Sequence, residues 1–351
     1  MKLMTMFEQN LLKEKYIIGQ SIDDMESLAQ FFGSEKYRGG QLFDWIYRKQ
    51  EDNISKMTDL SVSFRKKLIS IPIHPLKLIS NNKSDIQKTK KFLFELNDGN
   101  KIESVLMNDG KRITVCLSTQ VGCAMDCNFC ATAKMGFYKN LTAGEIVDQF
   151  LQLQKLINKK ITNVVFMGMG EPFHNYNNTI AAADLLHHNR GINMGAWRIT
   201  ISTVGIVPKI IRYAKEKHPY KLAISLNGSD NNQRLMTMPI TKTYSFEDLI
   251  NAAKDYISIV NKRLTFEYVL MENINDKPMD SKKLKDLLSP INCKLNIIPY
   301  NDIDSEYKRP DNDAIDAFLK PLKKAPFPVT IRWSKGIDID AGCGQLAINS
   351  K

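Results

Sequence analysis

Cys123, Cys127 and Cys130 form a C-x3-C-x2-C run between Gly122 and Cys130, on a stretch that reads as a loop. Three thiolates at this spacing can grip three irons of a cubane cluster and leave the fourth iron without a protein ligand. Electron-transfer clusters are normally saturated by four cysteines, so an open iron is a place for a small molecule to bind. The same triplet also suits a zinc site short of one ligand, or three redox-active thiols. Zinc sites usually pair two C-x2–4-C units or complete one with histidines, and no such partner pair lies nearby.

Other residues of chemical interest follow at intervals. Gly168, Gly170 and Glu171 stand just after the apolar run Asn163–Met167. Phe173 occupies the place of the third glycine in a dinucleotide fingerprint, so this is not one. Glycines before an acid let the backbone approach a ligand and let Glu171 face an ammonium group. Ser202, Ser225, Asn227 and Asn301 each close a strand-like run, where polar groups can hydrogen-bond a ligand or simply serve a loop. Cys343 lies between Gly342 and Gly344, which suggests an exposed, mobile thiol. Cys116 lies within a strand candidate, where a lone cysteine is usually a small hydrophobe. Cys293, after Pro290 and before a strand, reads as structural. Glu103 belongs to the second strand of a hairpin. A strand glutamate ordinarily faces solvent, but this hairpin leads straight into the strand of Cys116 and could overhang the same site.

The elements that must position these residues alternate. Strand candidates are 113–118, 163–167, 198–203, 221–227, 264–270, 294–299 and 329–333, separated by helical stretches near 142–158, 178–190, 206–217, 245–262, 281–289 and 311–324. Thr142 and Glu145 make a capping box, and Ile146, Phe150, Leu153 and Ile157 fall on one helical face. Repeated strand–helix units imply parallel pairing by right-handed crossovers. About six units suit a partial (β/α)6 barrel, an α/β fold in which chemistry gathers at the loops after the strands. Before it, 91–96 and 101–107 flank an Asp-Gly turn and read as a hairpin. Residues 1 to about 80 read as helical, with a helix expected over 37–49 whose Tyr37, Arg38, Trp45, Tyr47 and Arg48 could clasp RNA or simply belong to a small amphipathic bundle. The expected division is a helical accessory unit over 1–80, a hairpin linker over 81–112 and a core over 113–351.

The chain has 351 residues, 49 basic against 38 acidic, for a net charge of +11. That balance favours a polyanionic partner. No signal-peptide pattern and no apolar run of membrane-spanning length appear, so a cytoplasmic location without a membrane partner is expected. Six cysteines in that setting do not make a disulfide framework.

Taken in order, Cys116, the triplet, Gly170 and Glu171, Ser202, the run Ser225, Leu226 and Asn227, Asn301, and the tail from Ala341 to Leu346 resemble the RlmN family of dual-specificity 23S rRNA and tRNA adenine-C2 methyltransferases, of the radical S-adenosylmethionine superfamily. The resemblance also covers 37–47 in the accessory unit. Gly342 and Met135 depart from the family's usual residues. The resemblance implies a 4Fe-4S cluster on Cys123, Cys127 and Cys130, whose open iron binds S-adenosylmethionine together with Gly170, Glu171, Ser202, Ser225, Leu226, Asn227 and Asn301. It further implies that Cys343 carries an S-methyl intermediate, that Glu103 accepts the C2 proton, and that Cys116 resolves the adduct through a transient disulfide with Cys343. The implied substrates are adenosine 2503 of 23S rRNA and adenosine 37 of tRNAs. A monomer acting with an electron donor such as flavodoxin or ferredoxin is expected. Two alternatives stand beside this: C8 methylation by the related enzyme type, and a non-catalytic zinc-bound RNA-binding protein. Gly170–Pro172 with His174–Tyr176, Asn227 and the stretch Arg332–Gly336 sit closer to the C2 pattern.

Overall fold

The structure, a computed structural model, describes residues 15–84 and 88–348. The start of the accessory unit, on which the absence of a signal-peptide pattern was read, lies outside the described residues.

One ten-stranded sheet organises the molecule. Its strands are β1 (Leu76–Lys83), β2 (Thr89–Leu96), β3 (Lys101–Asp109), β4 (Arg112–Cys116), β7 (Asn163–Phe166), β8 (Ile199–Thr203), β9 (Lys221–Ser225), β10 (Leu264–Leu270), β11 (Cys293–Pro299) and β12 (Val329–Ile331), neighbours in that order. A separate pair, β5 (Gln120–Gly122) and β6 (Phe137–Asn140), is antiparallel. From β4 through β12 every pairing in the large sheet is parallel. This is the α/β architecture of a partial barrel, with six strands and a short seventh. All seven strand runs expected from the sequence are present.

Helices connect the strands where apolar spacing and caps place them. Ala143–Lys155 begins at the Thr142–Glu145 capping box and buries Ile146, Phe150 and Leu153. Phe246–Val260 begins at a second box, Ser245 with Asp248. The apolar faces close over the sheet, and most buried side chains form one continuous core.

Three features differ from the sequence reading. The first 80 residues are not helical throughout: Leu76–Lys83 forms β1, which extends the hairpin into a three-stranded antiparallel flank of the barrel. Alternate burial is lost along that strand, so its sequence lacks the period-2 signal. The helix expected over 37–49 is α-helical to Phe43 and continues as a π turn over Asp44–Arg48. Tyr47 is buried there; its hydroxyl accepts from Gly19 N and donates to Gln20 O, so it is a structural tyrosine. Tyr37 is exposed.

The accessory helices are joined to the barrel by polar contacts. His74 Nδ1 lies 2.6 Å from Asp148 Oδ1, and the other Asp148 oxygen accepts from Leu76 N at 3.1 Å. Among the described residues no helix is long and apolar enough to cross a membrane.

Candidate active site

The cysteine loop is closed by the pair that the sequence reading missed. Val121 faces Lys139 and Gly122 faces Phe137 across β5 and β6, and Cys123 N donates to Gly136 O at 2.9 Å. Gly122 has φ +72°, and a Cβ there would lie 1.8 Å from Gly136 O; only glycine permits this closure. The loop is fixed on its far side by a second missed element, the helix Asn231–Thr237. Asn128 N donates to Thr237 O and Asn128 Nδ2 to Met236 O.

A single cavity brings together the three cysteines, Gly170, Glu171, Ser202, Ser225, Asn227, Asn301 and Cys343. They arrive from the C-terminal ends of successive strands and from the tail, as a barrel requires. Burial pushes the Cys123 thiol up to about 12. Cys127 and Cys130 are raised by burial first, and Cys127 further by Cys130 and Cys123. Thiols so placed become thiolates only when a metal centre takes the proton's place. Arg234, buried behind the loop, donates to Thr241 Oγ1 at 2.6 Å and to Val204 O. Burial lowers its ordinary value to about 10, and Cys127 acts to raise it. It supplies a buried positive charge beside ligands that carry negative charge. Among the described residues no three His, Cys, Asp or Glu side chains close around a single ion, whereas ligands to a cubane sit on separate irons.

Glu171 is buried, yet its carboxylate opens to the cavity. Oε1 accepts from Phe173 N and Oε2 from Val204 N, both at 2.9 Å. Burial lifts its pKa to about 7 despite these bonds. A buried carboxylate without a cation is costly, so this group suits a ligand ammonium. The preceding backbone is shaped for approach: Gly170 has φ +97°, a Cβ there would lie 2.4 Å from Gln120 Cβ, and Gln120 Oε1 accepts from Glu171 N at 2.7 Å. Asn301 Nδ2 donates to Ser334 Oγ and to Cys343 O, while its buried Oδ1 has no protein partner. A donor group of a ligand would satisfy it. A buried carboxylate without a cation, an orphaned amide oxygen and three thiols lining one cavity fit an amino-acid-bearing cofactor bound at a cluster.

The structure separates the remaining candidates. Leu226 does not line the cavity; its side chain is in the apolar core and its N donates to Glu267 O. Asn227 Oδ1 accepts from Val269 N at 2.8 Å, so its amide shapes the rim as well as lining it. Cys343 is half-buried rather than exposed. Its segment is fastened by Gly344 O accepting from Ala131 N, Leu346 O accepting from Thr132 Oγ1, and Gln345 bridging Gly342 N and Asp302 O. Cys293 is buried and structural in position, its Sγ 3.9 Å from Leu288 O.

Cys116 ends β4 and lines a second cavity, which also contains Cys343 and Arg332. Burial, then the neighbouring Cys343, push its thiol up to about 12, while Arg332 acts to lower it. All six cysteines are free thiols. Glu103 is buried on β3, not solvated. Its Oε1 is 3.0 Å from Lys91 Nζ and its Oε2 accepts from Ala347 N at 3.1 Å. Burial raises its pKa and Lys91 acts against that. Lys91 was missed, although the hairpin register pairs Leu93 with Glu103 and so sets Lys91 diagonally across from it.

Residues 117–283 match the radical SAM superfamily, and 17–72 match the ribosomal RNA large subunit methyltransferase N-terminal domain. Relatives named "Probable dual-specificity RNA methyltransferase RlmN" include those of Thermotoga neapolitana, 44% identical over 96% of this chain and 98% of the relative, and Alkaliphilus oremlandii, 40% identical over 94% and 96%. A solved radical SAM methyltransferase from Sphaerobacter thermophilus superposes with a TM-score of 0.90 at 39% identity, covering 94% of this chain and 98% of that one. Motif order, fold and near full-length similarity agree, and the chain belongs to the RlmN family within the radical SAM superfamily.

Proposed function

We propose that this protein methylates C2 of adenosine in RNA, at position 2503 of 23S rRNA and position 37 of tRNAs. The observation that supports this best is the meeting, at Cys343, of the cavity lined by the three cysteines with the cavity lined by Cys116. Carbon 2 of adenine lies between two ring nitrogens and is electron-poor, so it does not attack a sulfonium methyl as an amine would. Cys123, Cys127 and Cys130 would hold a 4Fe-4S cluster, and bound there with S-adenosylmethionine it would supply one-electron cleavage of the sulfonium and a carbon radical. Glu171 would orient the ammonium group, and Ser202, Ser225, Asn227 and Asn301 would bind the rest of the cofactor.

The chain's own residues divide the remaining work. Cys343 would carry the methyl carbon delivered to the base, forming a protein–RNA adduct. Glu103 would take the C2 proton; its buried pair with Lys91 holds the carboxylate in place. Cys116 would then attack Cys343 sulfur, releasing RNA and leaving a transient disulfide. Its raised pKa means that this attack is coupled to loss of the thiol proton.

The test is to reconstitute the protein anaerobically, treat rRNA and tRNA with it, digest, and map the methyl group by mass spectrometry. 2-Methyladenosine is expected from both. 8-Methyladenosine would reassign the reaction to the related type.

A further inference from the structure

Two cavities meet at Cys343. The first, among the strand C-terminal ends, contains the groups that suit the cofactor. The second, about 630 Å³, runs the other way through the barrel interior, past Cys116, Glu267 and Arg332, to the strand N-terminal ends. At that far mouth stand Arg112, Lys221, Arg263 and Lys294. Arg112 and Lys221 are the first residues of β4 and β9, Lys294 is the second of β11, and Arg263 directly precedes β10.

These charges crowd together, with the buried Glu267 inside the cavity as the carboxylate on which Lys294 acts. Burial, then Arg112 and Lys294, lower the pKa of Lys221. Among the described residues none of the four forms an ion pair, and Asp109 at the same mouth is engaged by Lys335. Residues at the N-terminal rim of a barrel usually serve stability, yet unpaired like charges held side by side reduce it. An aromatic residue stands beside them. Trp197 is 61% exposed, with the Arg198 guanidinium 4.6 Å and Lys221 Nζ 5.8 Å from its ring. Cations interleaved with an exposed aromatic ring suit a phosphate backbone with unstacked bases better than a small free anion.

We propose that RNA docks on this N-terminal rim, with phosphates on Arg112, Lys221, Arg263 and Lys294, and that the target base enters the barrel from this side to meet Cys343. The inference rests on the relay reading above. With the cofactor seated in the first cavity, the second gives a route to Cys343 from the opposite end of the barrel, and its mouth is basic. Cofactor and RNA then approach the reacting carbon from opposite ends of the barrel. A base pulled from its stack would be followed by its flanking phosphates, which the rim holds.

The experiment titrates the full-length protein with a synthetic RNA stem–loop carrying an unpaired adenosine, over a range of salt. In Lys221→Gln/Lys294→Gln affinity should fall on the order of tenfold at low salt, and the salt slope should drop by about 1.4, roughly 0.7 per lost phosphate contact. Methylation of Cys343, read as protein mass without RNA, should persist in that variant. In otherwise native protein, benzoylphenylalanine placed at Trp197 should crosslink the stem–loop, and the same group at Tyr138, beside the cysteine loop, should not. Unchanged affinity and slope, or crosslinking at Tyr138 instead of Trp197, would overturn the proposed rim. Failure of the wild-type protein to methylate Cys343 while the rim still binds RNA would strike the relay and leave the docking surface standing.

Discussion

At the scale of single residues, the site divides into groups that hold and groups that would react. Glu171 holds: three hydrogen-bonding distances and burial fix it where an ammonium would sit. Glu103 would react, and its neighbours define what should happen when it changes. Glu103→Gln keeps the shape but cannot take a proton, so turnover should fall on the order of 10²–10⁴-fold while a covalent protein–RNA species still forms; normal turnover would reassign the base. Cys116→Ala should accumulate the adduct on a denaturing gel, because the resolving thiol is gone; release of free methylated RNA would contradict its role. Lys91→Met removes the cation 3.0 Å from Glu103. The burial that already raises the Glu103 pKa would then act unopposed by its ion pair, so the acidic limb of the pH–rate profile should move to higher pH. An unmoved limb would mean that Lys91 does not tune the base.

At the scale of elements, two short pieces of structure place the cysteine loop. Gly122→Ala should strain the β5–β6 closure, since the new methyl would meet Gly136 O and the φ is positive. Iron bound per chain after reconstitution should fall, with a loss of thermal stability of about 1–3 kcal/mol. A second junction joins the accessory helices to the barrel at His74. Burial would lower its pKa, but the hydrogen bond and charge of Asp148 prevail and raise it above 6.5. A group with a raised folded-state pKa contributes stability that is complete below its unfolded value and fades as pH rises through the folded value. Stability against urea should therefore decline as pH rises from about 6.5, and His74→Gln should flatten that decline. These junctions were largely illegible in the sequence. β5 and β6 are three and four residues long, too short for period-2 alternation to register, and the helix Asn231–Thr237 carries no extended apolar stripe. The barrel strands and long helices were legible because periodicity and capping boxes act locally. Leu226 shows the limit of motif reading: it stands between two cavity-lining residues, just past the end of β9, and its side chain lies in the core.

At the scale of the whole molecule, one sheet runs from the antiparallel flank to β12, and the C-terminal segment returns across it. Ser84 Oγ donates to Asp338 Oδ1, Lys91 Nζ lies 3.4 Å from Asp340 O, and Ala347 N reaches Glu103. Residues more than 240 positions apart in sequence are thereby joined, and no local pattern announces such pairings. Gln345 is the keystone of this return, since its amide serves both Gly342 N and Asp302 O. Gln345→Leu would leave a buried N–H without a partner and should cost about 1–3 kcal/mol, with methylation falling more than cofactor cleavage. Four cations, Arg112, Lys221, Arg263 and Lys294, line one cavity at the barrel's N-terminal rim, a placement that composition alone could not show.

The central claim is that Cys123, Cys127 and Cys130 hold a cluster with one open iron. Protein reconstituted without oxygen should contain iron and sulfide in equal amount at about one cubane per chain, and the spectrum of its reduced paramagnetic state should change when S-adenosylmethionine is added. A colourless, zinc-loaded protein, or a cluster signal indifferent to S-adenosylmethionine, would contradict the account.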